Sequence, residues 1–258
     1  MTADSDSARR ALALLDLTSL NDDDTVAAIE RLCAKARTPF GDVAAVCIYP
    51  RFVVAARRAL RGSAVRIATV ANFPDGDPDV DRAVAETRAA IADGADEIDV
   101  VLPYRALLAG DRATPLTLVA ACKVACGVDA RLKVILETGA LAAPERIAEA
   151  ARLAIEGDAD FLKTSTGKLQ PGATLTAARI MLEAIAEART AGRRVGFKAA
   201  GGIRTAQQAA QYLSLGDEIM GDGWATPETF RFGASALLDD LLGVLGGGAK
   251  PTSAAGTY

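Results

Sequence analysis

Apolar residues return along this chain in two alternating rhythms. Short β-rich stretches begin near Val43 (Val-Ala-Ala-Val-Cys-Ile), Val65 (Val-Arg-Ile-Ala-Thr-Val), Glu97 (Glu-Ile-Asp-Val-Val-Leu), Leu132 (Leu-Lys-Val-Ile-Leu), Asp160 (Asp-Phe-Leu-Lys), Val195 (Val-Gly-Phe-Lys), Glu218 (Glu-Ile-Met) and Thr229 (Thr-Phe-Arg-Phe). Most intervals between them hold Ala-rich segments with apolar positions three or four apart, as over 80–92, 145–156 and 173–191. That spacing is the helical period. Strands alternating with helices predict an α/β protein with a parallel sheet. Eight such units predict a closed (β/α)8 TIM barrel; a doubly wound open sheet is the competing layout.

A weak repeat supports the barrel. Gly94, Gly157 and Gly216 each precede an Asp within three residues and then an apolar stretch, at intervals of roughly two βα units. Such glycines are expected to end helices in the left-handed conformation, with the Asp in the turn into the strand. Two pieces lie outside the eight units. Residues 8–37 read as two helices, the second capped by Asn21-Asp22-Asp23-Asp24-Thr25, so that 1–40 form an N-terminal helical extension. A cap is a better reading of that acidic run than a metal site. Gly246-Gly247-Gly248 opens a small-residue tail, 246–258, expected to be flexible. The expected organisation is therefore one barrel domain, 1–245, and a tail.

Composition narrows the chemistry. The 258 residues include no His at all. No Ser-His-Asp triad, Cys-His pair, His-ligated zinc or imidazole base can be built. Proton transfer must run on Lys, Asp, Glu, Tyr, Cys or water. A net charge of -4 and a pI near 5.1 provide no basic field for nucleic acid. No apolar run reaches membrane-spanning length, and the acidic start Met1-Thr2-Ala3-Asp4-Ser5-Asp6 does not resemble a signal peptide. Cys33, Cys47, Cys122 and Cys126 form no Cys-x-x-Cys motif. Reduced thiols in a cytoplasmic protein, with neither nucleic acid nor membrane as partner, are expected.

In an α/β barrel, catalytic groups sit where strands end. Lys163 ends Asp160-Phe161-Leu162-Lys163 and leads into Thr164-Ser165-Thr166-Gly167-Lys168, while Lys198 ends Val195-Gly196-Phe197-Lys198 and leads into Ala199-Ala200-Gly201-Gly202. Asp99 lies inside the very apolar Ile98-Asp99-Val100-Val101-Leu102. One lysine late in an apolar strand can snorkel to the rim or pair with a carboxylate. Two on consecutive units, each before a Gly-containing loop, point to amine catalysis, in which a neutral lysine forms a Schiff base with a carbonyl substrate. An unperturbed lysine loses its proton only near pH ~10.4, and burial or a neighbouring cation favours the neutral form. Gly167-Lys168, Gly201-Gly202 and Phe232-Gly233-Ala234-Ser235, the last opening the final helix, offer backbone N–H groups to a phosphate.

At these residues the chain resembles the deoxyribose-phosphate aldolase family. The resemblance runs from about Ala11 to Leu242 and is carried by Leu15-Asp16-Leu17-Thr18-Ser19-Leu20, Cys47-Ile48-Tyr49-Pro50-Arg51-Phe52, Ala71-Asn72-Phe73-Pro74 and Glu97-Ile98-Asp99-Val100-Val101-Leu102-Pro103-Tyr104-Arg105. It continues through Lys133-Val134-Ile135-Leu136-Glu137-Thr138-Gly139, Phe161-Leu162-Lys163-Thr164-Ser165-Thr166-Gly167-Lys168, Gly196-Phe197-Lys198 and Arg231-Phe232-Gly233-Ala234-Ser235. It implies a Schiff-base aldolase that needs no metal and no cofactor. The implied reaction is reversible cleavage of 2-deoxy-D-ribose 5-phosphate to D-glyceraldehyde 3-phosphate and acetaldehyde, in deoxyribose phosphate catabolism. The sugar phosphate and the aldehydes are then the partners, and a homodimer the usual assembly. Lys163 matches the Schiff-base position, Lys198 the second lysine that eases deprotonation of the first, and Asp99 the acid/base carboxylate acting through a water. Gly167, Lys168, Gly201, Gly202, Gly233 and Ser235 match phosphate-binding positions; Asp16 and Thr18 match residues near the sugar hydroxyls. Ala199 and Ala236 depart from the family, which often has Pro and Ser there, and loss of the second hydroxyl weakens the phosphate grip by about 1 kcal/mol. Tyr258 matches a terminal tyrosine of many members. Another Schiff-base aldolase, a phosphate-binding barrel isomerase and a non-catalytic sugar-phosphate binder are the alternatives.

Overall fold

Alternation of apolar and polar residues at period two becomes, in the computed structural model, a ring of eight parallel strands. The structure describes residues 5–247. The ring consists of β1 (Leu15–Ser19), β4 (Ala45–Ile48), β5 (Arg66–Ala71), β6 (Glu97–Val101), β7 (Arg131–Ile135), β8 (Phe161–Lys163), β9 (Gly196–Ala200) and β10 (Phe230–Ala234). The first strand pairs with both β4 and β10, which closes the barrel. A small antiparallel hairpin, β2 (Arg37–Thr38) with β3 (Gly41–Asp42), stands apart. The expected TIM barrel is thus the observed fold. Helices fall where the 3.6 period placed them, at Val80–Ala92, Pro144–Glu156 and Leu175–Thr190. Side-chain caps at Asp79 and Thr174 fix two of their starts.

One strand was expected in the wrong place. The segment around Glu218 is not a strand but the last turn of helix Ala206–Met220, whose buried face runs Tyr212, Leu213, Gly216 and Met220. The helical period continues unbroken to Met220, and the three-residue apolar fragment was too short to show it. The eighth strand is instead β1, inside the supposed N-terminal helical extension. Helices Ser5–Ala13 and Val26–Lys35 do flank it. Thr25, the last residue of the acidic run, caps the second, accepting from the Ala28 N–H at 3.2 Å. The alternation Leu15-Asp16-Leu17-Thr18 was hidden against the Ala-rich helix before it.

The glycine repeat also has mixed causes. Gly94 is left-handed, φ 103°. At Gly157 the left-handed residue is the following Asp158, φ 72°. The glycine is needed there because a Cβ would lie 2.7 Å from Val119 Cγ1 of helix Ala113–Cys126. Gly216 lies within its helix.

The strands sort their side chains by parity. Ile98 and Val100 of β6, Leu132 and Val134 of β7, Leu162 of β8 and Phe230 and Phe232 of β10 join the large apolar layer between barrel and helices. Small residues Ala45, Cys47, Ala68 and Val70 fill one side of the interior. Buried charges fill the other. Phe161 closes this interior from below, and its ring occupies the space that a side chain at Gly196 would need: a Cβ there would lie 2.4 Å from Phe161 Cε1. Gly196→Ala is expected to lower stability by about 1–3 kcal/mol through overpacking. Pairing it with Phe161→Leu should recover part of that loss, as measured by urea denaturation of the single and double variants.

Candidate active site

Seven charged side chains meet inside the barrel, in layers set by their positions along the strands. Lowest, Arg231 of β10 donates through Nη2 to Glu97 Oε1 at 2.7 Å and through Nη1 to Asp16 Oδ1 at 2.6 Å. Lys133 of β7 bridges upward, 2.6 Å from Glu97 Oε2 and 2.7 Å from Asp99 Oδ1. In the middle, Lys198 Nζ lies 2.5 Å from Asp16 Oδ2 and 2.8 Å from Asp99 Oδ2. Uppermost, Lys163 Nζ donates to the same Asp99 Oδ2 at 2.8 Å. The β8–β9 register places Lys163 beside Lys198. Lys163 is 3 % exposed, and the other six are 0 % exposed.

Burial at this depth disfavours every charge, so each must be held by its neighbours. Burial alone would raise the Asp99 carboxyl, but Lys133, Lys163 and Lys198 outweigh it and hold Asp99 well below the usual carboxylate range. Asp16 and Glu97 are lowered against burial in the same way, the first by Lys198 and Arg231, the second by Lys133 and Arg231. Conversely, burial works against Lys198, yet Asp16 and Asp99 raise it above an ordinary lysine; Asp99 and Glu97 do the same for Lys133. Lys198 is therefore a fixed cation beside Lys163.

Above this network, at the C-terminal ends of the strands, opens a cavity of about 280 Å3. Thr18, Lys163, Gly167, Lys168, Gly201, Gly202, Gly233 and Ser235 all line it, with Ala236 beside them. Gly201 and Gly202 take φ of 91° and 89°, which leaves their backbone free of side chains at the wall. Gly233 has a second duty: a Cβ there would lie 2.9 Å from Lys198 Cε. Lys168 reaches across the cavity to donate to the Leu20 carbonyl at 2.7 Å. The loop after β8 is tied down on both sides. Thr164 Oγ1 donates to the Ala200 carbonyl at 2.9 Å and accepts from Ala200 N at 2.9 Å. Buried Glu137 accepts from Thr166 Oγ1 at 2.5 Å.

Asp99 and Lys198 do not face the cavity; Asp99 lies one hydrogen bond behind Lys163, and Lys198 a second one behind Asp99. Asp16, expected near the sugar hydroxyls, is not brought to the cavity either. It is the second residue of β1, buried beneath Lys198, whereas Thr18, two residues further along the strand, reaches the wall. Cys47 is buried 3.8 Å from Asp99 Oδ2, and burial pushes its thiol up, so it belongs to the packing of the interior rather than to the cavity. Sequence reasoning missed Glu97, Lys133 and Arg231 as site residues. Lys133 and Arg231 are each a charge flanked by apolar residues in a strand, the signal that picked out Asp99, whereas Glu97 opens its strand directly after Asp96. The expected Tyr258 contact lies outside the described residues.

These directions fix the pH window of stability. Asp16, Glu97 and Asp99 hold protons less tightly when folded, so their contribution is complete above the ordinary carboxylate range near pH ~4 and is lost as pH falls below it. Lys133 and Lys198 hold protons more tightly when folded, so theirs is complete below pH ~10.4 and is lost above it. Calorimetry across pH is expected to show a plateau between, falling on both sides. Asp99→Asn should lower the plateau itself by about 3–5 kcal/mol, because it leaves buried cations unpaired.

Known proteins share this fold over most of the chain. A profile of the DeoC/LacD family aldolases matches residues 10–243. A crystal structure from Toxoplasma gondii ME49, provisionally named a deoxyribose-phosphate aldolase, is 27 % identical with a TM-score of 0.85, over 94 % of this chain and 96 % of that one. A protein of Coccidioides immitis with the same provisional name is 31 % identical with a TM-score of 0.78, over 90 % of this chain and 85 % of that one. The tetrameric deoxyribose phosphate aldolase of Aeropyrum pernix shares the fold at a TM-score of 0.72 and 23 % identity, over 93 % of this chain and 91 % of that one. With that profile matching residues 10–243 of a barrel whose paired lysines meet on a carboxylate below a glycine-bearing cavity, this chain belongs to the DeoC/LacD aldolase family.

Proposed function

We propose that this aldolase reversibly cleaves 2-deoxy-D-ribose 5-phosphate to D-glyceraldehyde 3-phosphate and acetaldehyde through a Schiff base on Lys163. One observation carries the reading: of the seven charges clustered inside the barrel, Lys163 alone lines the cavity. The charge count favours the same residue. Lys133, Lys163, Lys198 and Arg231 face three carboxylates, Asp16, Glu97 and Asp99. Lys198 and Lys133 each hold two close carboxylates, whereas Lys163 meets only one oxygen of Asp99, which it shares with Lys198.

The neutral amine adds to the C1 aldehyde of the open-chain sugar, and loss of water gives an iminium. A base takes the C3 hydroxyl proton, the C2–C3 bond breaks, and its electron pair flows into the iminium to leave an enamine and glyceraldehyde 3-phosphate. Protonation of the enamine carbon and hydrolysis then release acetaldehyde and regenerate Lys163. Asp99, Lys198 and a water above them supply both proton transfers. The iminium is the electron sink, so neither metal nor imidazole is required by this route. Gly201, Gly202 and the 233–236 turn into helix Leu237–Leu245 cradle the phosphate with backbone N–H groups, and Lys168 adds charge. Thr18 faces the sugar hydroxyls. Operation as a cytoplasmic homodimer is part of the same reading, with light scattering to give the assembly.

Borohydride reduction in the presence of acetaldehyde is expected to leave one stable adduct, on the peptide containing Lys163. An adduct on another lysine overturns the assignment, as does Lys163→Leu with near-native retro-aldol rate. Ala236→Ser restores a hydroxyl to the cavity wall. It is expected to lower KM for the sugar phosphate about fivefold with kcat little changed, in steady-state assays.

A further inference from the structure

A second cavity, larger than the first at about 750 Å3, opens at the opposite end of the barrel. It lies beneath the strand starts, where Arg131 begins β7 and Gly196 begins β9, and Phe161 separates it from the buried charges above. Four arginines line it: Arg131, Arg189, Arg193 and Arg194. Arg193 is held by Asp158. Among the described residues, the other three form no ion pair. The two carboxylates in the wall do not cancel this charge. Asp160 is taken up by Lys123 at 2.6 Å and by the Leu132 N–H at 2.7 Å, and Glu228 is exposed. Most telling, Arg131 Nη1 is buried with no hydrogen-bond partner among the described residues. A buried guanidinium N–H without an acceptor is costly, and a bound oxyanion would remove that cost. Trp224, packed edge-on against Phe230, adds an aromatic surface to the same wall.

We propose that this lower cavity is a binding site for a phosphate-bearing small molecule, held by the guanidinium groups of Arg131, Arg189 and Arg194. Planar, forked donors lining one concavity suit tetrahedral oxyanions, and a pocket of this volume with both polar and apolar walls accommodates a metabolite. The site is separate from the Lys163 cavity, and its existence does not depend on the chemistry there.

Trp224 is the only tryptophan of the chain, so its emission reports on this cavity directly. The full chain is titrated with pyrophosphate and, separately, with AMP at constant ionic strength. Both are expected to give a saturable change in emission. Tighter binding of AMP assigns a nucleoside phosphate, and equal binding assigns the phosphate group alone; either supports the site. Arg131→Gln and Arg194→Gln should each weaken binding about tenfold, and Lys168→Ala, in the upper cavity, should leave the titration unchanged. Arg194 is exposed, so its variant decides the matter if Arg131→Gln does not fold. The proposal is overturned by the absence of a saturable change with both ligands at millimolar concentration. It is equally overturned if the arginine variants bind as the native chain does, or if Lys168→Ala abolishes the change.

Discussion

Everything at the catalytic end depends on how this barrel keeps charge in its interior. TIM-barrel cores are ordinarily layers of branched apolar side chains. Here four cations and three carboxylates replace them on one side, and all six carboxylate oxygens accept from a buried cation. Desolvation costs several kcal/mol per ion, so the assembly is tolerable only when complete. Completeness requires register. A slip of one residue in any of these strands would turn its charge outward into the apolar layer under the helices. The network is therefore as much a constraint on strand alignment as a source of reactivity.

The proposed active site is the upper edge of that network. Lysine chemistry needs an amine that is desolvated yet reachable, beside a cation that stays charged. The strand positions provide both: Lys198 sits mid-strand, enclosed by two carboxylates, and Lys163 sits at the last position of its strand. Gly233 matters for the same reason, since the space it leaves is where the Lys198 stem runs. The lower end is attached to the network too. Arg231 Nε donates to the Pro227 carbonyl, in the loop that also carries Trp224. The two mouths of the barrel thus share one continuous set of polar contacts.

Much of this was legible in the sequence, and the misses have definite causes. Lys163, Lys198 and Asp99 stood out because a charge in an apolar strand has no packing explanation. Lys133 and Arg231 carry the same signal, and Glu97, next to Asp96, only half of it. They lie early or midway in their strands, however, and their use appears only when strands distant in sequence bring them together. Asp16 shows the complementary limit: the family resemblance implied a place near the sugar hydroxyls, but depth along the strand decides, and it sits one layer too low. The strand count came out right through two opposite errors, at Glu218 and at Leu15. In both places the apolar pattern was too short to separate a period of two from one of 3.6. Gly157 resembled a turn glycine, yet it is explained by the closeness of Val119, a contact across helices that no local pattern encodes.

The wall of the upper cavity has a consequence for how its specificity can change. Part of it is main chain: Ala200, Gly201, Gly202, Gly233, Ala234 and Ala236 bring almost no side-chain atoms to the cavity. Substitution at these positions can only add bulk, so it narrows the range of molecules admitted rather than widening it. Broader acceptance has to come from the few long side chains on the rim, such as Lys168 and Arg204, which can be shortened without disturbing the charges beneath. Recognition and reactivity are in this sense separately mutable: one is set by what the rim lets in, the other by a buried core that the incoming molecule never touches except at a single amine.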